Sequence, residues 1–497
     1  MRGGYPDKKE LIVIKKVLSK YKEMPIQARA SLWFLICTFL QKGISVITTP
    51  IFTRLLTTQQ YGEFSVFYSW LSLLTVLVTL NLFAGVYTQS LVKFEKERDI
   101  LSSSLLGLTT VLIIFWTILY LLFQDFFNKL FSLTTVQMLA MLVMMWTSSA
   151  FAFWSMYQRV DFHYRKLVAL TLAVSVAKPV LGIFFVIHAE DKTTARILAI
   201  TLVELIAFTG CFLAQMKKGG KFYSRKFWVY ALKFNLPLIP HYLSTSVLSS
   251  ADRIMISNMI GESSAGIYSL AYSLSQLMTM LNSALTQTLE PWMYKKIHAK
   301  KVTEIGTIAY PTFVLIVGAN LLLIAFAPEI VAIFAPREYH EAIWVIPPVS
   351  MSVFFMFLYT FFAVFEFYFE RTKYIAAATM GGAVLNIVLN YIFINTFGYL
   401  AAGYTTLFCY VLYALLHYLF MKKICKEELN GVQAYRAGVI LLIAIVFVAL
   451  GSLLMLTYKN MLIRYGIILS AVMVVFVKRR MVINLLSDIL EAKKSGR

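Results

Sequence analysis

Two lysines set deep inside apolar stretches are the residues of this chain best placed to do chemistry. Lys42 is the twelfth residue of an apolar segment covering 31–52, and Lys178 the twelfth of one covering 167–187. An ammonium group at the centre of a bilayer costs about 2.5–3.5 kcal/mol on insertion scales, so it normally faces water or a ligand and has a task. Both segments are expected to run outward, which puts the two charges at one depth. No acidic residue is expected at that depth in the same half of the chain, because Glu204, the nearest, reads as lying in the outer half of the sixth segment. Two cations with at most one anion favour an anionic ligand. The alternative is that each lysine snorkels or pairs structurally. Arg54 and Arg253, near the outer ends of two further segments, add guanidinium groups whose planar fork suits phosphate. Their positions equally suit anchoring at the membrane interface.

The other ionisable groups carry weaker signals. Glu290 and Glu366 fall near cytosolic ends of segments, where they read as gate or loop contacts. His188, His241 and His417 are scattered, and only His241, after Pro240, is a candidate for proton coupling. Cys37, Cys211, Cys409 and Cys425 have no metal or redox spacing. There is no Gly-rich loop ending in Gly-Lys-Ser/Thr, and no gap long enough for a soluble catalytic domain.

These residues need a scaffold, and the composition says which. With 497 residues, 59% hydrophobic and 14% charged, the chain has too little polar surface for a soluble globule, and it holds many runs of the roughly 20 apolar residues a span requires. Fourteen segments are expected: 31–52, 64–90, 101–123, 136–157, 167–187, 195–216, 234–254, 264–289, 305–327, 342–367, 374–395, 399–420, 437–457 and 461–477. The fold class is therefore all-α and polytopic. Of 46 Lys and Arg residues, 36 fall in alternate gaps, which short-loop charge bias places in the cytosol, so both termini are expected inside. The net charge of +21 is then an orientation signal, with no nucleic-acid partner implied. Residues 1–30 and 478–497 read as basic amphipathic segments on the cytosolic leaflet.

A short internal repeat organises the spans. Thr53-Arg54-Leu55-Leu56 then Tyr61-Gly62-Glu63-Phe64-Ser65 is matched by Asp252-Arg253-Ile254-Met255 then Ala265-Gly266-Ile267-Tyr268-Ser269. The second copy lies six spans after the first, an even number, so the halves would be parallel repeats about an axis along the membrane normal. The expected domains are a lobe at 31–216, a cytosolic linker at 217–233, a second lobe at 234–421 and a final helix pair within 422–477. Pro179, Pro237, Pro240, Pro311 and Pro347-Pro348 are candidate bends.

The stretches Gln41-Lys42-Gly43 through Leu56, Gln60-Tyr61-Gly62, Leu236 through His241, and Ala265 through Tyr272 resemble bacterial polysaccharide repeat-unit flippases. These belong to the multidrug, oligosaccharidyl-lipid and polysaccharide exporter superfamily. The resemblance implies a V-shaped two-lobe fold in the bacterial cytoplasmic membrane. It implies alternating-access transfer of undecaprenyl-diphosphate-linked oligosaccharide to the outer leaflet, for capsule, exopolysaccharide or O-antigen synthesis, alongside other polysaccharide-assembly membrane proteins. It carries diphosphate binding onto Lys42, Arg54 and Arg253, with Lys178 a less secure match. No enzyme activity and no cofactor are implied, and a coupling ion, H⁺ or Na⁺, stays open. Asn81, Gln89, Asn282, Gln287, Asn386 and Asn390 offer amides for sugars, and Tyr68, Tyr87, Tyr268 and Tyr272 offer stacking faces. A cation-coupled drug exporter of the same fold would be expected to bury an acid in the first helix, where this chain has Lys42. A membrane polysaccharide polymerase would need a substantial outer loop, and the longest outer gap, Pro328 to Glu341, is short.

Overall fold

The computed structural model describes residues 23–477 and 479–480, and among them every regular element is a helix. In chain order the first nine are α1 Ile26–Leu55, α2 Thr58–Thr79, α3 Val86–Lys93, α4 Arg98–Leu122, α5 Gln124–Phe131, α6 Thr135–Val160, α7 Tyr164–His188, α8 Lys192–Gly219 and α9 Arg225–Asn235. They are followed by α10 Ile239–Met259, α11 Glu262–Ser275, α12 Leu277–His298, α13 Thr303–Ala325 and α14 Ala327–Phe334. The last are α15 Ala342–Tyr368, α16 Thr372–Phe397, α17 Ala401–Glu428, α18 Ala437–Leu456 and α19 Met461–Val477. Among the described residues eleven helices are long and apolar enough to cross a bilayer, so the chain is a multi-pass membrane protein. The seventh, eighth and fourteenth expected spans are also helical, but α10 is rich in hydroxyls, the eighth is divided at Gln276 into α11 and α12, and α19 has only 17 residues. The basic amphipathic stretches expected at 1–30 and 478–497 lie mostly outside the described residues, and 26–30 begin α1.

Among the described residues the chain forms two compact units, drawn from Met1–Phe52 with Thr75–Ile239, and from Thr53–Leu74 with Pro240–Arg497. This grouping differs from the expected lobes at three places. Residues 53–74 go with the second unit, the linker region goes with the first, and the final helix pair joins the second.

In the first unit α1 and α7 run side by side in the same direction. Trp33 stacks on Tyr164, Gln41 Nε2 donates to Ser175 Oγ at 3.3 Å, and the Phe52 ring packs on Gly182. α7 and α8 form an antiparallel hairpin through the short turn at residues 189–191. The linker helix α9 buries Phe227 and Ala231 against Leu82, Leu101, Leu105 and Phe153, which is why it belongs here. After α2 the second span breaks at Leu80 and Asn81, both in the left-handed region at φ 51° and 50°. Such φ is rare for leucine and needs outside support. Asn235 supplies it, its Nδ2 donating to the carbonyls of both residues at 2.9 Å.

In the second unit α15 is the central helix. It is apolar all round, with Phe354, Phe357, Phe361, Phe362 and Phe365 buried, as expected of a helix surrounded by other helices. The two copies of the repeated motif meet directly in this unit. A Cβ at Gly62 would lie 1.9 Å from the Glu262 carbonyl oxygen, and one at Gly266 would lie 2.0 Å from that of Thr58. Each glycine thus faces the carbonyl four residues before the other, the reciprocal contact that a two-fold relation between α2 and α11 produces. Thr58 Oγ1 and Ser263 Oγ, 2.6 Å apart, extend it.

Gly62→Ala must push two backbones apart, so it is expected to lower stability by about 1–3 kcal/mol as overpacking does. Gly210→Ala, where an added Cβ meets nothing within 4 Å, is the control expected to leave thermal unfolding unchanged or slightly raised. Equal unfolding temperatures for the two variants would show that the glycine contact is dispensable.

Candidate functional site

Lys42 lies in mid-α1 and is exposed, and its ammonium pairs with no carboxylate among the described residues. The Gln41–Ser175 contact sets this part of α1 beside the part of α7 that carries Lys178, one turn further on. The two lysines therefore occupy neighbouring heights in one unit.

Their environments differ. Lys178 Nζ lies 2.6 Å from Glu204 Oε1, and Glu204 Oε2 accepts from Thr147 Oγ1 at 3.1 Å. The Phe208 ring sits 5.9 Å from the ammonium. The expectation that Lys178 has no acid at its depth is wrong. The approximate span ends misplace its depth, which the hairpin fixes better. Lys178 stands twelve residues before Glu190 and Glu204 fourteen after it. At about 1.5 Å per residue they differ in height by only about 3 Å. A carboxylate with a side chain only 7% exposed needs such a cation, and Thr147 satisfies its second oxygen.

The two arginines are also engaged within the fold. Arg54 Nη2 donates to the Ile333 carbonyl at 2.9 Å, and Arg253 Nη1 to the Ser249 carbonyl at 2.7 Å, with its guanidinium 4.0 Å from the Tyr272 ring centroid. Beside Arg253 the buried Asp252 collects three donors. These are Tyr268 Oη at 2.7 Å, Asn390 Nδ2 at 2.6 Å and Thr406 Oγ1 at 2.9 Å. Asn390 in turn accepts from Thr405 and donates to Asn386 Oδ1 at 3.3 Å. This oxygen-rich knot joins α10, α11, α16 and α17, and each donor offsets part of the cost of burying the carboxylate.

Several residues expected to meet sugars are consumed by such packing. Tyr87 is fully buried against Ser102 Oγ at 2.7 Å, Tyr268 holds Asp252, and Asn282 donates to the Val353 carbonyl at 3.0 Å. Asn386 and Asn390 are fully buried. Gln89 and Gln287 remain exposed.

Glu366 is not a loop contact. It is fully buried, with Oε1 2.6 Å from His417 Nδ1, while Tyr359 and Tyr413 flank the imidazole at 5.2 and 4.5 Å between ring centroids. Glu366 Oε2 and His417 Nε2 have no hydrogen-bond partner among the described residues. Sequence alone held a clue to this pair. Glu366 and His417 fall one and three residues from the expected cytosolic ends of two spans that run the same way. Among the described residues His241 makes no comparable ion pair, and its buried Nδ1 has no hydrogen-bond partner.

The polysaccharide biosynthesis protein family model matches residues 28–297, and the MatE model matches 237–392. Among curated proteins the chain is 23% identical over 384 residues to Lsg locus putative protein 1 of Haemophilus influenzae, covering 72% of this chain and 88% of that one. Among solved structures it resembles the lipid II flippase MurJ in an inward closed conformation, with a TM-score of 0.65 and 13% identity. That match covers 87% of this chain and all of the other. An inward-facing multidrug resistance MATE transporter of the MOP superfamily gives a TM-score of 0.55 at 14% identity, covering 80% of this chain and 96% of the other. At these identities the two structures establish a shared fold.

Proposed function

We propose, from the premise that this chain belongs to the polysaccharide biosynthesis protein family, that it transfers undecaprenyl-diphosphate-linked oligosaccharide from the inner to the outer leaflet of a bacterial cytoplasmic membrane. The observation that carries this reading is Lys42, an exposed ammonium in the middle of α1 that pairs with no carboxylate among the described residues, on a fold shared with a lipid II flippase. A diphosphate brings about two negative charges into a region where charge is costly, and a cation there offsets them. Transfer proceeds by alternating access, with both termini cytosolic as the Lys and Arg pattern implies. Lys178 shares its charge with Glu204, so of the two deep lysines Lys42 is the principal contact. Arg54 and Arg253 stand at the outer ends of α1 and α10 to meet the diphosphate late in transfer. The chain lacks a nucleotide-binding signature. If an ion gradient drives transfer, the buried carboxylates Asp252 and Glu366 are the groups to which a proton or sodium ion would couple.

The MatE match over 237–392 favours a second reading, export of cationic small molecules. Against it, α1 contains no acidic residue. The test is made in cells of the source organism lacking the chain. The pool of undecaprenyl-diphosphate-linked oligosaccharide is expected to accumulate and, in intact spheroplasts, to be protected from an impermeant oxidant such as periodate. An unchanged pool, with the same fraction oxidised as in cells containing the chain, would overturn the reading and the direction assigned to it.

A further inference from the structure

The second unit carries an apolar groove and a basic pocket that follow one another along a single face of α17. The groove, of about 770 Å³, runs between α15, α17 and α18 and is lined by residues such as Leu358, Val411, Leu415, Tyr418, Leu441 and Ile445. The pocket, of about 430 Å³, is formed by Leu419, Lys422, Lys423, Lys426, Gly431 and Gln433. At about 100° per residue, Val411, Leu415, Lys422 and Lys426 fall within about 60° of one another on the helix. The loop that closes the pocket, through Gly431 and Gln433, leads into α18, which forms the far wall of the groove. One helical stripe thus changes from apolar to cationic over about 22 Å from Val411 to Lys426.

That length matches a phosphate headgroup together with an acyl chain in one leaflet, whose hydrocarbon is about 15 Å thick. Charge sorts the candidates further. The neighbouring carboxylates Glu427 and Glu428 are taken by Arg371, at 3.4 and 2.7 Å, and Lys423 lies 5.4 Å from the Tyr374 ring centroid. Lys422 and Lys426 make no ion pair among the described residues and are exposed. A soluble anion would use the pocket and leave the groove without purpose. A zwitterionic lipid carries its own cation and gains little from the lysines.

We infer that this stripe is a binding site for an anionic phospholipid, with its phosphate against Lys422 and Lys426 and one acyl chain laid along the groove. Basic pockets at the membrane interface between helices are suited to such headgroups. The inference does not depend on what the chain transports.

The experiment uses the purified full-length chain and native mass spectrometry, with phosphatidylglycerol, phosphatidylcholine and undecaprenyl diphosphate as probes. The wild type is expected to retain one phosphatidylglycerol at least tenfold better than phosphatidylcholine. Lys422→Gln with Lys426→Gln should abolish that preference. Ala444→Trp, which fills the groove, should reduce retention while leaving the lysines in place. Gly438→Leu, at a groove position where an added Cβ meets nothing within 4 Å, serves should the tryptophan variant fail to fold. Retention of phosphatidylglycerol unchanged in the double lysine variant would overturn the site. So would displacement of phosphatidylglycerol by equimolar undecaprenyl diphosphate, which would assign the stripe to the transported lipid.

Discussion

Lys178→Gln is expected to remove most of the folded protein from the membrane, and Lys178→Gln combined with Glu204→Gln to restore it. The single variant leaves Glu204 buried with only the Thr147 hydroxyl on one oxygen. Removing one partner of a buried ion pair costs about 3–5 kcal/mol, comparable to much of a domain's net stability. In the double variant two neutral amides face each other, and nothing charged is left without a counterion. The measurement is the yield of monodisperse protein in mild detergent, together with its unfolding temperature. A Lys178→Gln protein as abundant and as stable as the wild type would show that the Glu204 contact contributes nothing. The double variant has a second use. If it folds and still exports, Lys178 is structural, and the diphosphate is met without it.

Lys42 is expected to behave in the opposite way, altering transport with little effect on stability. It is exposed and unpaired with any carboxylate among the described residues, so Lys42→Gln strands no partner. A charge-assisted contact contributes about 1.5–3 kcal/mol, so losing it should slow export by roughly ten- to a hundredfold. Lys42→Arg keeps the charge and should retain most activity, while Lys42→Glu, which repels a diphosphate, should be inactive although present at normal levels. These are read as export rates normalised to the amount of each variant. Full export by Lys42→Gln would remove the cation from the mechanism.

Much of this molecule was legible in the sequence because a membrane imposes simple rules. Long apolar runs interrupted by alternating basic gaps can form little other than a helical polytopic fold. The Gly62 and Gly266 motifs were also legible, and their mutual contact gives the repeat a physical meaning. Pairing between helices was not. Lys178 with Glu204 and Glu366 with His417 each depend on which helix faces which, and span ends misplaced by a few residues were enough to separate Lys178 from its partner. The break at Leu80 and Asn81 left little mark, since leucine disfavours a left-handed backbone, a lone asparagine that tolerates one is a weak signal, and the support comes from Asn235, about 150 residues away. The amides of Asn386 and Asn390 looked like sugar ligands because their hydrogen-bonding capacity is visible in sequence, whereas Asp252, which consumes it, lies on another helix.

Transfer itself is measured most directly with the purified chain in liposomes containing undecaprenyl diphosphate linked to an oligosaccharide that bears a nitrobenzoxadiazole fluorophore. Dithionite, which does not cross the bilayer, quenches only fluorophores in the outer leaflet. With the wild-type chain, quenching is expected to pass beyond the outer-leaflet half toward completion, and with Lys42→Glu to stop near half. Quenching that stops at half with the wild-type chain, under an imposed proton or sodium gradient of either sign, would contradict the assignment of this protein as a lipid-linked oligosaccharide flippase.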